Sequence, residues 1–283
     1  MKLPIYKNAI KLHFYRNINI ILEDDILLEI NKIYNMDCLE GMKIIPDSFI
    51  DLCITDPPYL LNKTTGGLSE TELSKKWQGN LRSSDKTVNI INNIKFSDWL
   101  PEVYRVLKPQ SHFYTFVNDK NVQDMLNEAT KVGFKLHNIL VWKKNNKTPN
   151  KYYMKDCEFI IFFRKGKSTP IHNLGDSQYF EYEEEFIWED TVFKINNING
   201  KSKLHPTQKP TELINKLILN SSKEKDIVFD PFIGSGTTAI ACINTNRNYI
   251  GFELDKKYYE IAKNMINKHI IDNNLQGKYS LIT

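Results

Sequence analysis

Short apolar runs alternate with helical stretches through most of this chain, and that alternation constrains its fold more tightly than any other feature. Ile50–Thr55 (IDLCIT) reads as a strand halted by Asp56-Pro57-Pro58-Tyr59, where two prolines forbid both helix and ladder. A helix capped by Ser97 is expected through Val106, stopping before Lys108-Pro109, followed by a strand from His112 to Val117. Asn121–Val132 reads as a helix with Gly133 as its stop, and Leu136–Trp142 and Glu158–Phe163 as two strands. After an interruption the rhythm resumes with helix Thr211–Asn220, strand Asp226–Phe229, helix Thr237–Asn244, strand Tyr249–Glu253 and a closing helix Lys256–Ile270. Such alternation predicts an α/β fold, a mostly parallel sheet covered by helices on both faces.

At 283 residues the whole chain, 1–283, fits one domain with insertions. Two segments break the rhythm. Residues 62–95 are polar and lack periodicity, which predicts a long loop, and long loops in compact domains are usually functional or disordered. Residues 168–203 consist of short, polar, aromatic-spotted pieces and read as an inserted recognition region. No apolar run exceeds five residues, so no segment is expected to span a bilayer, and the N-terminal lysines lack the apolar stretch of a secretory signal. Four cysteines without a CxxC pair or a histidine at zinc spacing argue against a disulfide framework and a metal, and they suit a reducing cytoplasm.

The net charge of +4 is too small to indicate a nucleic-acid partner by itself, but its distribution is uneven. Basic residues dominate from Lys143 to Lys167, acids take over from Asp176 to Asp190, and lysines return from Lys194 to Lys209. Any single run is more simply a solvated face. Together, with interleaved Tyr and Asn, they suit an insertion that meets nucleic acid.

Two motifs carry chemistry. At the carboxyl end of a parallel strand, Asp56-Pro57-Pro58-Tyr59 offers a carboxylate, a carbonyl held by proline geometry and an aromatic face. Those groups suit an exocyclic amine on a flat heterocycle, although proline pairs also end strands for purely structural reasons. The second motif, Asp230-Pro231-Phe232-Ile233-Gly234-Ser235-Gly236-Thr237-Thr238, joins a strand to a helix. Its glycines allow a close backbone approach to a ligand, and Glu253 at the end of the next strand could accept from ribose hydroxyls. Ala239 replaces the third glycine of a dinucleotide fingerprint, and no lysine follows Gly236 as a phosphate loop requires. His205-Pro206-Thr207-Gln208-Lys209-Pro210 and Asp37-Cys38, taken singly, read as a helix start and a turn.

In this order the motifs resemble the amino-group DNA methyltransferases of the permuted, β-class type, N6-adenine kind. The resemblance rests on MDCLEGM (36–42), TDPPY (55–59), YRVLKPQSHFY (104–114), VWKKN (141–145), HPTQKP (205–210), DPFIGSGTT (230–238) and RNYIGFELDKKYYEIA (247–262). It covers the chain from about Asn35 to Lys268, with Gln110 and Ser111 standing where a Gly-Gly is more usual. It implies a circularly permuted, Rossmann-like sheet of seven strands, S-adenosylmethionine as methyl donor and double-stranded DNA as substrate. It also implies that 168–203 recognise the target and that a cognate restriction endonuclease and a homodimer are compatible partners, while residues 62–95, which match no pattern of the family, are expected to form a mobile DNA-facing loop. Phe232, Gly234, Ser235 and Gly236 would wrap the methionine part, with Asp230, Thr237 and Thr238 completing the loop, and a side chain at 236 would collide with the ligand. Glu253 would hold the ribose, Asp37 with Cys38 the adenine of the cofactor, and Thr207 and Lys209 would lie near its carboxylate. Asp56, adjoining the cofactor, Pro57, Pro58 and Tyr59 would act on a flipped base, while Lys143, Lys144 and Lys147 would contact DNA.

Cytosine-C5 chemistry needs a Pro-Cys nucleophile, and none of the four cysteines follows a proline. Cytosine-N4 methylation uses the same acceptors, with Asp rather than Ser at 56 favouring adenine. A protein or RNA methyltransferase would more often carry its box after the cofactor loop. A non-catalytic DNA-binding relative would keep only the fold.

Overall fold

The computed structural model describes residues 19–21, 27–58, 94–148, 153, 155–167, 169–172, 192–198 and 208–282. Ten strands and six helices occur among them. They are β1 (Asn19–Ile21), β2 (Leu27–Glu29), β3 (Lys32–Asn35), α1 (Cys38–Lys43), β4 (Ile50–Thr55), α2 (Phe96–Val106), β5 (Leu107–Val117) and α3 (Val122–Val132). Then follow β6 (Lys135–Thr148), β7 (Lys155–Arg164), β8 (Val192–Lys194), α4 (Thr211–Ser221), β9 (Ile227–Asp230), α5 (Thr237–Asn244), β10 (Asn248–Glu253) and α6 (Lys256–Asp272).

The main sheet runs β3-β10-β9-β4-β5-β7-β6-β8. Strands β3, β10, β9, β4 and β5 are parallel, and β7 lies antiparallel between β5 and β6. The expected α/β sheet is present, with β8 as an eighth strand parallel to β6 at its margin. That strand comes from the region read as an insertion; most of that region, and residues 62–93 of the expected loop, lie outside the described residues.

The central strands are largely apolar because both faces are covered. On β4, Leu52 and Ile54 enter a core built with α4, α5 and α6, while Cys53 enters the opposite one with α1, α2 and α3. On β9, Val228 joins the first core and Ile227 and Phe229 the second. Two long-range ties fix the layers. Arg105 of α2 donates to the carbonyls of Ile45 (2.9 Å) and Met42 (2.7 Å), and His112 and Tyr114 of β5 both meet the Ser221 hydroxyl at 2.7 Å. Helix α2 starts one residue before the expected cap, and Asp98, not Ser97, accepts the exposed Lys95 N–H (2.9 Å).

This topology brings the carboxyl ends of the five parallel strands and the start of β7 to one edge of the sheet. The loop after β9 is fixed there from below: Ile233 N–H donates to the Phe252 carbonyl (2.9 Å), and a Cβ at Gly251 would stand 2.2 Å from Ile233 Cδ1.

Gly236 closes the loop in the left-handed region (φ 82°). Beside the expectation that a side chain here would meet a ligand stands a packing demand within the fold. A Cβ would stand 3.2 Å from Ala262 Cβ and 3.1 Å from Ile266 Cδ1, inside the packing of α6. Gly236→Val therefore damages the fold itself. Overpacking alone should cost about 1–3 kcal/mol, with backbone strain added, read as a lowered urea midpoint. An unchanged midpoint would show that α6 yields freely.

Candidate active site

Strands β4 and β9 are neighbours, and the residue closing each of them meets the other. Buried Thr55 donates through Oγ1 to Asp230 Oδ1 (2.7 Å). Thr238, in the first turn of α5, donates to Asp230 Oδ2 (2.7 Å), and the Phe232 N–H donates to Oδ1 (3.1 Å). Burial pushes the Asp230 carboxyl up to about 6, against the lowering effect of these three bonds. Asp230 is only 4 % exposed and braces the loop.

Asp56 follows Thr55 directly and emerges half-buried from the strand end. Lys209, just ahead of α4, forms an ion pair with Asp56 Oδ2 and stands 3.5 Å from Glu158 Oε2, with Nζ 5.0 Å from the Phe116 ring centroid. Lys144 of β6 pairs with the other Glu158 oxygen and lies 4.9 Å from the Trp142 ring centroid. Charges thus alternate from Lys144 through Glu158 and Lys209 to Asp56. Burial opposes the Lys209 charge, but Asp56 and Glu158 hold its ammonium above the ordinary lysine range. Burial likewise works against the Glu158 carboxylate, which Lys209 and Lys144 keep below its usual range.

On the other side of β9, β10 ends at Glu253 opposite Asn35 of β3. Asn35 Nδ2 donates to the Glu253 carbonyl (2.8 Å). Glu253 accepts the Gly234 N–H at Oε2 (3.0 Å) and the Asp255 N–H at Oε1 (2.9 Å). Burial raises its carboxyl to about 7, with those two N–H groups pulling the other way. Asp37 caps α1 by accepting the Leu39 N–H (2.7 Å). Cys38 beside it is pushed up to about 12, by burial first and by the Asp37 and Glu253 charges. From Pro231 to Thr238 only Phe232 and Gly234 escape full burial, and Phe232 rests edge-on against Trp99 at 5.3 Å. Partly exposed loop backbone flanked by two carboxylates with spare lone pairs fits an elongated ligand bearing hydroxyl and amine donors.

One edge of the sheet thus holds Asp56, Pro57, Lys209, the 230–238 loop, Glu253, Asp37 and Cys38. Tyr59 and Thr207 lie outside the described residues, as does the Lys147 side chain. Lys143 and Lys144 were expected at a DNA surface. Lys143 pairs with Asp156 and stays half-exposed, whereas Lys144 turns inward onto Glu158, its side chain 18 % exposed. Lys209 was expected near a ligand carboxylate, and its ammonium is instead engaged by Asp56 and Glu158. Sequence reasoning missed Glu158 and Thr55. The signal for Glu158 was an acid opening an otherwise apolar strand (EFIIFF), which requires a cationic partner.

The fold has its relatives among the amino-group DNA methyltransferases. Residues 50–264 match the N6/N4 family described as DNA methylase, and the chain belongs to that family. It is 30 % identical over 240 residues to the Type II methyltransferase M2.MboI of Moraxella bovis, covering 82 % of this chain and 86 % of that protein. It is 32 % identical over 245 residues to the Type II methyltransferase M.HinfI of Haemophilus influenzae, covering 83 % and 67 %. The solved M1.HpyAVI–SAM complex matches with a TM-score of 0.59 at 25 % identity, over 83 % of this chain and 98 % of that one. The cytosine-N4-specific PvuII DNA methyltransferase shares the fold, with a TM-score of 0.60 at 20 % identity over 88 % and 93 %.

The Asp230 brace makes a pH-dependent prediction. Thr238→Val removes one of its donors and should cost about 1–3 kcal/mol near neutral pH, measured by urea denaturation. Asp230 titrates at about 6 in the fold and 3.8 as its ordinary value, so at about pH 5 it is protonated in the native state. A neutral carboxyl loses less when a donor goes, so the penalty should shrink at that pH. An equal penalty at both pH values would contradict the brace.

Proposed function

We propose that this chain is a Type II, β-class DNA methyltransferase that transfers a methyl group from S-adenosylmethionine to the N6 amino group of adenine in duplex DNA. The observation that carries this reading is Asp56, at the end of β4, next to the glycine-containing loop at the end of β9 and anchored by Lys209. Family membership and the SAM complex of the M1.HpyAVI neighbour support the methyl donor. The Type II names of the relatives support a role in restriction–modification. Asp rather than Ser ahead of the Pro-Pro-Tyr sequence favours adenine over the cytosine N4 amine.

S-adenosylmethionine, when bound, supplies a methyl group activated by its sulfonium. Glu253, Asp37 and the partly exposed loop backbone at Phe232 and Gly234 hold it. The target base leaves the helix to reach Asp56, a cost of a few kcal/mol that stacking on Tyr59 offsets by roughly 1–3 kcal/mol. Asp56 and the Pro57 carbonyl accept the two amino hydrogens and draw the nitrogen lone pair out of ring conjugation. The Asp56 charge also stabilises the positive charge that develops on that nitrogen. Lys143 and Lys147, with residues 62–95 and 168–203, meet the DNA, while Lys144 serves the site from within.

Two sets of measurements test this reading, the first on methyl transfer itself. Asp56→Ala should lower single-turnover methyl transfer by at least ~10²–10³-fold while sparing cofactor affinity. Tyr59→Phe should retain more activity than Tyr59→Ala. Nucleoside analysis of the product should return N6-methyladenine; N4-methylcytosine would move the chain to the cytosine class, and full activity in Asp56→Ala would overturn the mechanism.

The second concerns Glu253, whose carboxyl titrates at about 7. Ribose hydroxyls donate to the ionised form. Affinity for S-adenosylmethionine should therefore rise between about pH 6 and about pH 8, and Glu253→Gln should bind weakly with that dependence gone. A flat profile in the wild-type chain would remove Glu253 from the ribose.

A further inference from the structure

Strands β3 and β10 end side by side, and their chains then part: α1 packs into one core and α6 into the other. Asn35 stands at that fork. Its Nδ2 carries two hydrogens and donates to two successive carbonyls of the departing chain, those of Glu253 (2.8 Å) and Leu254 (3.1 Å). The Met36 N–H meets the same Glu253 carbonyl at 3.1 Å, so the end of β3 grips the turn after β10 by backbone and side chain together. Leu254 is 54 % exposed, and packing therefore does little to hold this turn.

The contact with Leu254 reaches beyond the turn itself. The Leu254 carbonyl and the Asp255 N–H belong to one planar trans peptide, whose C=O and N–H point in opposite directions. Asn35 holds the carbonyl side, and the N–H side donates to Glu253 Oε1 (2.9 Å). Hydrogen bonds in series polarise one another, so a donor on the carbonyl makes the N–H a stronger donor in turn. The other Glu253 oxygen accepts the Gly234 N–H (3.0 Å). Glu253 is thus clamped from two sides, and Asn35 governs one of them.

We propose that Asn35 is a positioning residue for S-adenosylmethionine: through the Leu254–Asp255 peptide it holds Glu253 in place as an acceptor for the ribose. This rests on the reading of Glu253 as the ribose acceptor. An N–H bond to a carboxylate favours its ionised form. Without Asn35 that bond weakens, and Glu253, raised to about 7 by burial, needs a higher pH to ionise. The titratable groups around Glu253 stay the same: Asp255 and Tyr258 at the start of α6, Asp230 beneath the loop, and Cys38, itself beside Asp37. The loss of affinity should therefore be largest below neutral pH and fade once the carboxyl is ionised with or without Asn35.

The test is calorimetric binding of S-adenosylhomocysteine, the product that keeps the ribose, at about pH 6.5 and about pH 8.5, with urea unfolding of each variant. Asn35→Leu keeps the size and removes both donors. Its affinity should fall roughly three- to tenfold at the lower pH and less than about twofold at the higher one. Its urea midpoint should stay close to wild type, because Asn35 is exposed. Asn35→Gln keeps the amide on a longer arm and should recover part of the affinity. In a Glu253→Gln background, Asn35→Leu should cost less than about twofold at either pH, since no carboxylate is left for it to serve. A merely structural role predicts the same loss at both pH values and in both backgrounds. That result, or wild-type affinity in Asn35→Leu at the lower pH, overturns the proposal. Should Asn35→Leu not fold, Asn35→Ser takes its place and the same outcomes decide. A wild-type chain whose affinity does not change with pH removes Glu253 from the ribose, and this proposal falls with that reading. A wild-type affinity that rises with pH, beside an identical profile in Asn35→Leu, rejects this proposal alone.

Discussion

A single buried carboxylate holds the two halves of the site together. Asp230 closes β9, takes the hydroxyl of Thr55 from β4 and the hydroxyl of Thr238 from α5, and fixes the Phe232 N–H at the start of the loop. Removing it would release the strand end that aims Asp56 and the loop and helix that face Glu253. Hydrogen bonds to a charged acceptor are about twice as strong as neutral ones, and burial makes each broken one costly. Burial pushes the Asp230 carboxyl up to about 6, against the lowering effect of its three donors. Three donors do not fully replace the water that a carboxylate commands, and the site's geometry is maintained at that expense.

The flanks of this brace carry different electrostatics. Toward β10, Glu253 is raised to about 7 by burial, with only backbone N–H groups opposing it, so it sits near the point where small changes alter its charge. Toward β5, β7 and β6, charges are paired in alternation, and Glu158 and Lys209 are each pushed by their partners toward the ionised form. Breaking a buried pair leaves an uncompensated charge at a cost of about 3–5 kcal/mol, which makes the chain from Lys144 to Asp56 cooperative in its geometry. One flank therefore holds a carboxyl close to the point where its charge changes, and the other a fixed alternation of paired charges.

Most of the framework was legible in the sequence because periodicity and stop signals are local. The helix Thr237–Asn244 lies as expected, and Gly133 ends α3 in the left-handed region (φ 114°). The unread parts are those set by pairing across the sheet. Trp142 stands opposite Glu158 in the antiparallel β6–β7 register, which brings Lys144 within reach of that acid; a sequence shows only a basic run followed by an acid. The Lys143–Lys167 stretch was read as an outward-facing basic surface because charge counting carries no sign of which way each strand residue points. Gly236 was singled out for its place in the loop, and its packing adds a second demand. Its spacing in the loop suggested a ligand, and the added steric demand comes from Ala262 and Ile266 on the last helix, remote in sequence and invisible to a motif.

The same distinction explains why the linear order of the motifs matters less than their neighbours in the sheet. Thr55 and Asp230 are 175 residues apart, yet they share a hydrogen bond because β4 and β9 are adjacent. Asp56 and Lys209 are 153 residues apart and share an ion pair at the same edge. Chemistry at that edge requires an acceptor on one strand end, a ligand-facing loop on the next and a common brace between them. It places no demand on which strand the chain visits first. Parallel strands with helices on both faces gather their carboxyl ends along one edge whatever the connection order, so a site assembled there survives rearrangement of the chain as long as the strand neighbours are kept. The box comes early and the loop late in this sequence, and the hydroxyl of Thr55 makes them one site.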